Sequence, residues 1–504
     1  MARIRTNEVS IAYAIEASLA TLPVTPAWVL LEPNGISAFG ADTTKTPRDP
    51  ISANRQRRKG TTTDLDSSAE FDADITMDHI NDFAEGFVFS AAIGTRIQAG
   101  SEFESLVAGA ATYTHDTLAA ALAEDTLVYA RGFSTAVNNG LGVVDTGATT
   151  TATPIKSGTQ VTETPAQTTG ATLEVVGVRG ATADITWTFS TLTLGSTTLD
   201  FTTLGLTPGQ EIHIGGDATA NKFAEGTALA RIVSIAANAI VVDKVVDIDA
   251  GTLSTTDGTA AAKDIDILFG RFVRNVATTS AEFLEQTFQF QLTEPNGGGV
   301  GVDQYEYSKG NLCNTAAFEL PLTDKATVTF GFVGTDTDVP TTTPATGGTT
   351  PVDPVATGAF NTTSGIAQLQ LTGTSDLGAC FKSLTLTLNN NVSPEKCLGT
   401  LGATFMNFGN FEVDFEAELI FTEGALITAI RNNETVTLAF TLVNDDGGFT
   451  TDLPSLTLGG GGRTFPRNES VLVSTTGEAF QDALLGTSIG LSTFPYLPSD
   501  TINN

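Results

Sequence analysis

The sequence predicts a mainly β fold, with a strand core drawn from both ends of the chain, one flanking helix and a small inserted β-domain. Three observations carry this. Several segments alternate apolar and polar residues at every second position, the mark of a half-buried strand. Glycine (50 residues) and threonine are abundant while charged residues make up only 16%, a mix of strand and turn formers. Helical spacing of apolar residues stands out at one place. A chain of 504 residues is also too long for one ordinary core, so two or three domains are expected.

The first clear strand is AEFDADITMD. Ala69, Phe71, Ala73, Ile75 and Met77 face one way; Glu70, Asp72, Asp74, Thr76 and Asp78 face the other. Ile80, Phe83, Ala84, Phe87, Val88 and Ala91 then recur at helical spacing, with Asp78 placed to cap the helix start. These elements close a first part of the core at residues 1–95. Residues 96–169, ending in the Thr/Gly/Pro-rich TGATTTATPIKSGTQVTETPAQTTGATL, read as a loop-rich connection. Short strands separated by turn signals (LEVVGV, ADITWTFS, QEIHIGG, ALARIVSIAANAIVVDKVVDI, DIDILFG) place the inserted β-domain at 170–275. Alternation returns over 276–504 in EQTFQFQL, KATVTFGFVG, KSLTLTLNNN, FEVDFEAELIF and ETVTLAFTLVNDDGGF. NDDGG supplies a hairpin turn, and a Thr/Pro-rich loop interrupts this series at 335–358.

Charge is uneven. The formal net charge is -32, yet residues 1–60 hold eight Lys/Arg against five Asp/Glu. So acidic a surface repels nucleic acid and argues against gripping DNA, though not against enclosing it. The densest cationic cluster, Arg55, Arg57, Arg58 and Lys59, lies immediately before the acidic strand at 69–78. A second acidic strand repeats the pattern: Phe411, Val413, Phe415, Ala417 and Leu419 on one side, Glu412, Asp414, Glu416 and Glu418 on the other. Carboxylates two apart on a strand stand about 7 Å from each other. Each pair repels by roughly 0.6 kcal/mol in water but by ~2.4 kcal/mol at an effective dielectric of 20. Such faces must meet water or cations. An ordinary solvated face and a solvated loop remain the plain readings of the acids and the cations; pairing across a subunit boundary explains their coexistence better.

Motifs that promise chemistry lack their partners. GTSIG at 486–490 matches a nucleophile elbow, but it opens a strand, and the last histidine, His213, lies far upstream. His79, His115 and His213 form no zinc pattern. Asp247, Asp249 and Gly251 resemble a calcium loop only faintly, with the glycine early and no closing Glu. GGGG at 459–462 lacks the Lys-Ser/Thr of a phosphate loop. Cys313, Cys380 and Cys397 read as buried free thiols in a reducing compartment. The N-terminal stretch opens like a secretory leader, but Glu8 and Glu16 interrupt its apolar region. No catalytic, metal or cofactor site is expected, and no membrane span.

Longer runs are familiar. WVLLEPNGISAFGADTTKTPRDPISANRQRRKGTTTDLDSSAEFDAD, GLTPGQEIHIGGDATANKFAEGTALARIVSIAANAIVVDK with GRFVRN, EYSKGNLCNTAAFELPLTDKATVTFGFVG, and SLTLTLNNNVSPEKCLGTLGATFMNFGNFEVDFEAELIF together resemble the major tail tube proteins of long-tailed phages with flexible, non-contractile tails. That resemblance implies a tail-tube-type β-sandwich or barrel core with a flanking helix. It implies self-association into rings, usually hexameric, stacked around a DNA channel, with other tail proteins at the tube ends. The location implied is the virion tail, after assembly in the host cytoplasm. A long inter-ring loop is implied around Thr43–Thr62, bearing Arg55, Arg57, Arg58 and Lys59. The strands at 69–78 and 411–419 become candidates to line the lumen with Glu70, Asp72, Asp74, Asp78, Glu412, Asp414, Glu416 and Glu418, and the inserted domain would sit outside. The alternatives are an acidic, Thr/Gly-rich surface adhesin or S-layer-like protein, for which no export route is evident, and a β-rich polysaccharide hydrolase using a carboxylate pair.

Overall fold

The computed structural model describes residues 5–49, 51, 56–98, 106–164, 171–224, 226–247, 263–295, 302–344, 351–353, 357–373, 377 and 380–502. Two large sheets dominate, one of 16 strands and one of 10. One layer of the larger sheet carries the features of interest. In chain order its strands are β1 (Pro33–Arg48), β2 (Arg58–Asp74), β3 (Gln304–Leu320), β4 (Thr327–Gly334), β5 (Cys380–Asn389), β6 (Glu412–Ile420), β7 (Gly447–Thr464) and β8 (Leu472–Ala479). In space they run β1–β2–β4–β3–β5–β6–β8–β7, every neighbouring pair antiparallel.

Period-two alternation gives this layer one apolar side. Phe71, Phe330, Ala316, Leu388 and Val413 are consecutive cross-strand partners on it, all buried. Helix α1 (Met77–Val88) lies over the same side. Its Phe83 ring centroid is 5.1 Å from that of Phe330, 5.9 Å from Phe71 and 5.5 Å from Phe288. Each fully buried Phe stabilises the fold by roughly 1.5–3 kcal/mol. The strand expected to reach residue 78 ends at Asp74, and Thr76 rather than Asp78 caps the helix, its hydroxyl accepting from the His79 N–H at 3.3 Å. Phe89, in the left-handed region (φ 52°), ends it.

The sheet forks at its two longest strands. The first half of β3 pairs with Thr287–Glu294, which pairs with Ser10–Ile15. The first half of β7 pairs with Thr435–Asn444 and Gly490–Phe494. The forked strands fold back over the apolar side, so that Phe290 meets Phe332 at 4.8 Å and Phe449 meets Phe318 at 6.1 Å. The strand order keeps its ends and the sheets do not close into a barrel, which removes that half of the sandwich-or-barrel expectation. The hairpin read from NDDGG is present, with Asn444 opposite Gly447. A second helix, α2 (Ala425–Asn432), and a short one at Ser499–Ile502 join the single helix expected. Eight residues of α2 are too few for the 3.6-residue period to stand out from the strands beside it.

The second sheet holds ten strands between Arg96–Gln98 and Asp266–Leu268, around a core containing Trp187, Phe201 and Phe223. The described residues of 96–169, expected as loops, hold six short strands, and three of them (Arg96–Gln98, Thr126–Arg131 and Gly140–Val143) belong to this sheet. Strands of three to six residues are too short for an alternation to be read. Arg271–Arg274, expected in the insert, pairs instead with Gly490–Phe494 of the large sheet.

Candidate assembly surface: an acidic face and a cationic arm

The side of the layer opposite its core is mostly polar. Its strand register brings both acidic strands onto this one face. In one cross-strand row Asp74, Glu319 and Glu416 alternate with Thr327, Thr385 and Thr476. The next row reads Asp72, Thr329, Ala317, Thr387, Asp414, Glu478. A third runs Glu70, Gly331, Thr315, Asn389, Glu412, and Glu418 lies between Ser383 and Ser474. Burial alternates strictly on β6, with Glu412, Asp414 and Glu416 exposed and Glu418 half-buried. On β2, Glu70, Asp72 and Asp74 are half-buried.

This interleaving decides the electrostatic cost. Carboxylates two strands apart are about 10 Å from each other, so each pair repels by roughly 0.4 kcal/mol in water, less under physiological salt. Asp414 and Glu478 are the exception, being direct cross-strand partners. Asp414 accordingly sits above the usual carboxylate range, through partial desolvation first and then Glu478, Glu412 and Glu416. Asp74 is compensated by Lys325, Nζ to Oδ1 2.7 Å, and accepts from Asn34 Nδ2 at 2.5 Å. Glu70 accepts from the Ser37 hydroxyl at 2.7 Å. The four carboxylates of β6 make no ion pair among the described residues.

Asp78 is not on this face. It lies in the first turn of α1, 5% exposed, where Arg96 and Arg131 approach it at 3.5 and 3.7 Å. The chain turns from strand to helix between 74 and 77, so strand alternation no longer applies there. Glu319 and Glu478 take places on the face that sequence reasoning missed; each lies within a mostly neutral strand, with only its alternation as a signal.

Most of the described part of the long loop expected around Thr43–Thr62 is strand, up to Arg48 and again from Arg58. β1 and β2 remain paired out to Arg48 opposite Arg58, whereas β4 leaves β2 at Ser67. The residues of β2 beyond that point form a free hairpin arm about 30 Å long. Arg57, Arg58 and Lys59 are exposed at its far end; Arg57 Nε lies 3.4 Å from Asp49 Oδ1. Arg55 falls outside the described residues. Arg48 and Arg58 are like charges placed directly opposite, an arrangement that weakens a ladder unless anions are near. The arm's root is acidic: Asp42 faces Asp66, and Lys396 reaches Asp64 at 2.5 Å and Asp66 at 2.6 Å. Those bonds hold Asp64 below the ordinary carboxylate range, with the Lys396 contact the largest cause and the Leu65 N–H next.

The remaining motifs fall into structural places. Ser488 of GTSIG donates to Asn275 Oδ1 at 3.0 Å just ahead of Gly490–Phe494, and His213 Nε2 lies 2.7 Å from the Thr501 hydroxyl. Asp249 and Gly251 lie outside the described residues. Among the described residues no group of three or more His, Cys, Asp or Glu side chains is arranged to hold a metal ion. No helix among them is long and apolar enough to cross a membrane. The three cysteines are free thiols, Cys313 buried and Cys380 and Cys397 exposed.

These features define a mainly β protein with a broad acidic sheet face beside a projecting basic hairpin. Residues 251–479, rather less than half of the chain, match the family described as Phage tail tube protein. The matched segment runs through β3, β4, β5 and β6 and ends with the last residue of β8. The arm, α1 and most of the second sheet lie outside it. No curated protein matches the chain.

Proposed function

We propose that this chain is a structural virion subunit that polymerises into stacked rings, hexameric by family resemblance, forming the tail tube through which DNA leaves the particle. The observation that carries the reading is the acidic face: six of the eight strands presenting it lie in the family-matched segment. A conduit must not bind its cargo, since each phosphate contact adds affinity and slows passage. A wall of carboxylates interleaved with threonines repels the duplex while staying hydrated. In this reading the face lines the lumen and the second sheet lies outside.

Ring closure and stacking have candidate elements. The outer edge of β1 and, over residues 458–464, the edge of β7 turned away from β8 have no strand partner among the described residues, leaving both ends of the layer open to a neighbouring copy. The arm, with Arg48 opposed to Arg58, gains an anionic partner if it lies on another acidic subunit.

Electron microscopy of the purified protein tests the proposal: hollow tubes or stacked rings are expected. Replacing Arg57, Arg58 and Lys59 with Ala is expected to leave the monomer's melting temperature unchanged and to lower polymerisation, most at low salt and less at high salt, where the arm's ionic contacts are already screened. Persistent monomers of the unaltered protein under every assembly condition would overturn the tube reading; normal polymerisation of the triple variant would overturn only the role of the arm.

A further inference from the structure

The second sheet meets the large sheet across two buried charge clusters, and they are built differently. In the first, Asp78 of α1 faces two arginines of the second sheet, Arg96 at 3.5 Å and Arg131 at 3.7 Å. Both arginines also face Glu174, at 3.6 and 3.7 Å. Positive and negative charges alternate around this ring and sum to zero when all four are ionised. The Thr357 hydroxyl adds a bond to Asp78 Oδ2 at 3.1 Å, and Asp82 is a further acidic neighbour.

In the second cluster Arg231, on the second-sheet strand Ala228–Ala236, reaches across to Asp452 of β7, NH1 to Oδ2 3.0 Å. It also holds Asp243 of its own sheet, NH2 to Oδ2 2.7 Å. Glu211 is the direct cross-strand partner of Arg231. It is 1% exposed, and neither of its carboxyl oxygens has a hydrogen-bond partner. Lys244 adds a second cation to the group. Asp482 also feels Arg231, but its carboxylate is satisfied by the Leu484 and Leu485 N–H groups and the Ser455 hydroxyl. Arg231 and Lys244 balance Asp243 and Asp452. Glu211 is the charge left over.

We propose that Glu211 holds a proton in the seat between the two sheets, and that loss of this proton loosens the second sheet from the core. Neutral, Glu211 leaves the cluster balanced. Ionised, it places an unsolvated negative charge beside Asp452, a heavy cost for a buried group without donors. Burial first, then Asp452, pushes the Glu211 carboxyl well above its ordinary range, with Arg231 offsetting only part. A raised folded-state value means that the stabilising contribution is full below the unfolded value and is lost as pH rises through the folded one. Asp78, pushed up to about 6 by burial against the pull of Arg96 and Arg131, works in the same direction. The seat is therefore tightest in mild acid. The inference is independent of whether the chain builds a tube.

Hydrogen exchange on the full chain, corrected for intrinsic rates, tests this on the amides of 211–214, 228–236 and 490–494. Their protection should fall on the order of ten-fold per pH unit above the folded pKa, while amides of β5 and β6 stay unchanged. Glu211→Gln should flatten that dependence and keep the protection at alkaline pH. The same pH dependence in Glu211→Gln as in the unaltered chain would overturn the proposal. Should that variant not fold, the unaltered chain still decides. A protonated-carboxyl infrared band that persists at neutral pH and fades in step with protection supports the proposal; protection constant from about pH 6 to about pH 9 overturns it.

Discussion

Carboxylates on the outer face of β6 and carboxylates in the seat between the sheets face opposite physical problems. On β6 three of the four are exposed, none makes an ion pair among the described residues, and most face neutral polar residues, so water and salt absorb their repulsion at little cost. In the seat Asp78, Glu174, Glu211 and Asp452 are at most 5% exposed and stand against three arginines. There each charge must be cancelled locally or neutralised by a proton. The contrast teaches that -32 overall says little about any one acid: the same residue type is cheap on a wet sheet face and costly between two packed sheets.

The largest expected effect breaks the buried half of this comparison. Asp452→Ala removes the partner that Arg231 reaches across the seat and leaves a buried guanidinium under-compensated. A loss of about 3–5 kcal/mol is expected, read as a fall in the thermal transition, or in denaturant midpoint, of the chain. Asp78→Asn should be milder, because Arg96 and Arg131 keep Glu174 and the amide stands in for the protonated carboxyl. Because burial raises Asp78 to about 6, the unaltered chain should lose stability relative to this variant as pH rises through that value; stability curves of both proteins across that range check the sign. Replacing Glu412, Asp414, Glu416 and Glu418 together with Gln should do least to the fold, moving the melting temperature by no more than about 2 °C. If the face lines a DNA channel, assembled particles of this variant should retain or eject DNA abnormally. A large drop in melting temperature instead would show that the β6 acids have a structural partner.

Much of the layer was legible in residue order. Period-two alternation located β2, β4, β5 and β6, because a strand with one dry side must place an apolar residue at every second position. The same alternation separated the acids of β6 from Val413, Phe415 and Ala417. It failed where the chain changes period, at Ile75–Met77, so Asp78 was assigned to the wrong surface. It also failed in residues 96–169, whose strands are too short to show a period and of which three are held by a sheet drawn largely from elsewhere in the chain.

The sequence by itself determined which residues turn inward on each strand, where the helix over the core runs, and which stretches concentrate charge. Those are local properties, set by the pleat and by spacing over a few residues. Only the tertiary structure decided that β2 and β6 share one face, that threonines separate their acids, and that the basic segment rides on a paired hairpin. Only it brought Arg231 to Asp452, 221 residues away in the chain. Register between distant strands follows from the packing of the whole apolar side, and whether a carboxylate is wet or buried depends on what is packed against it.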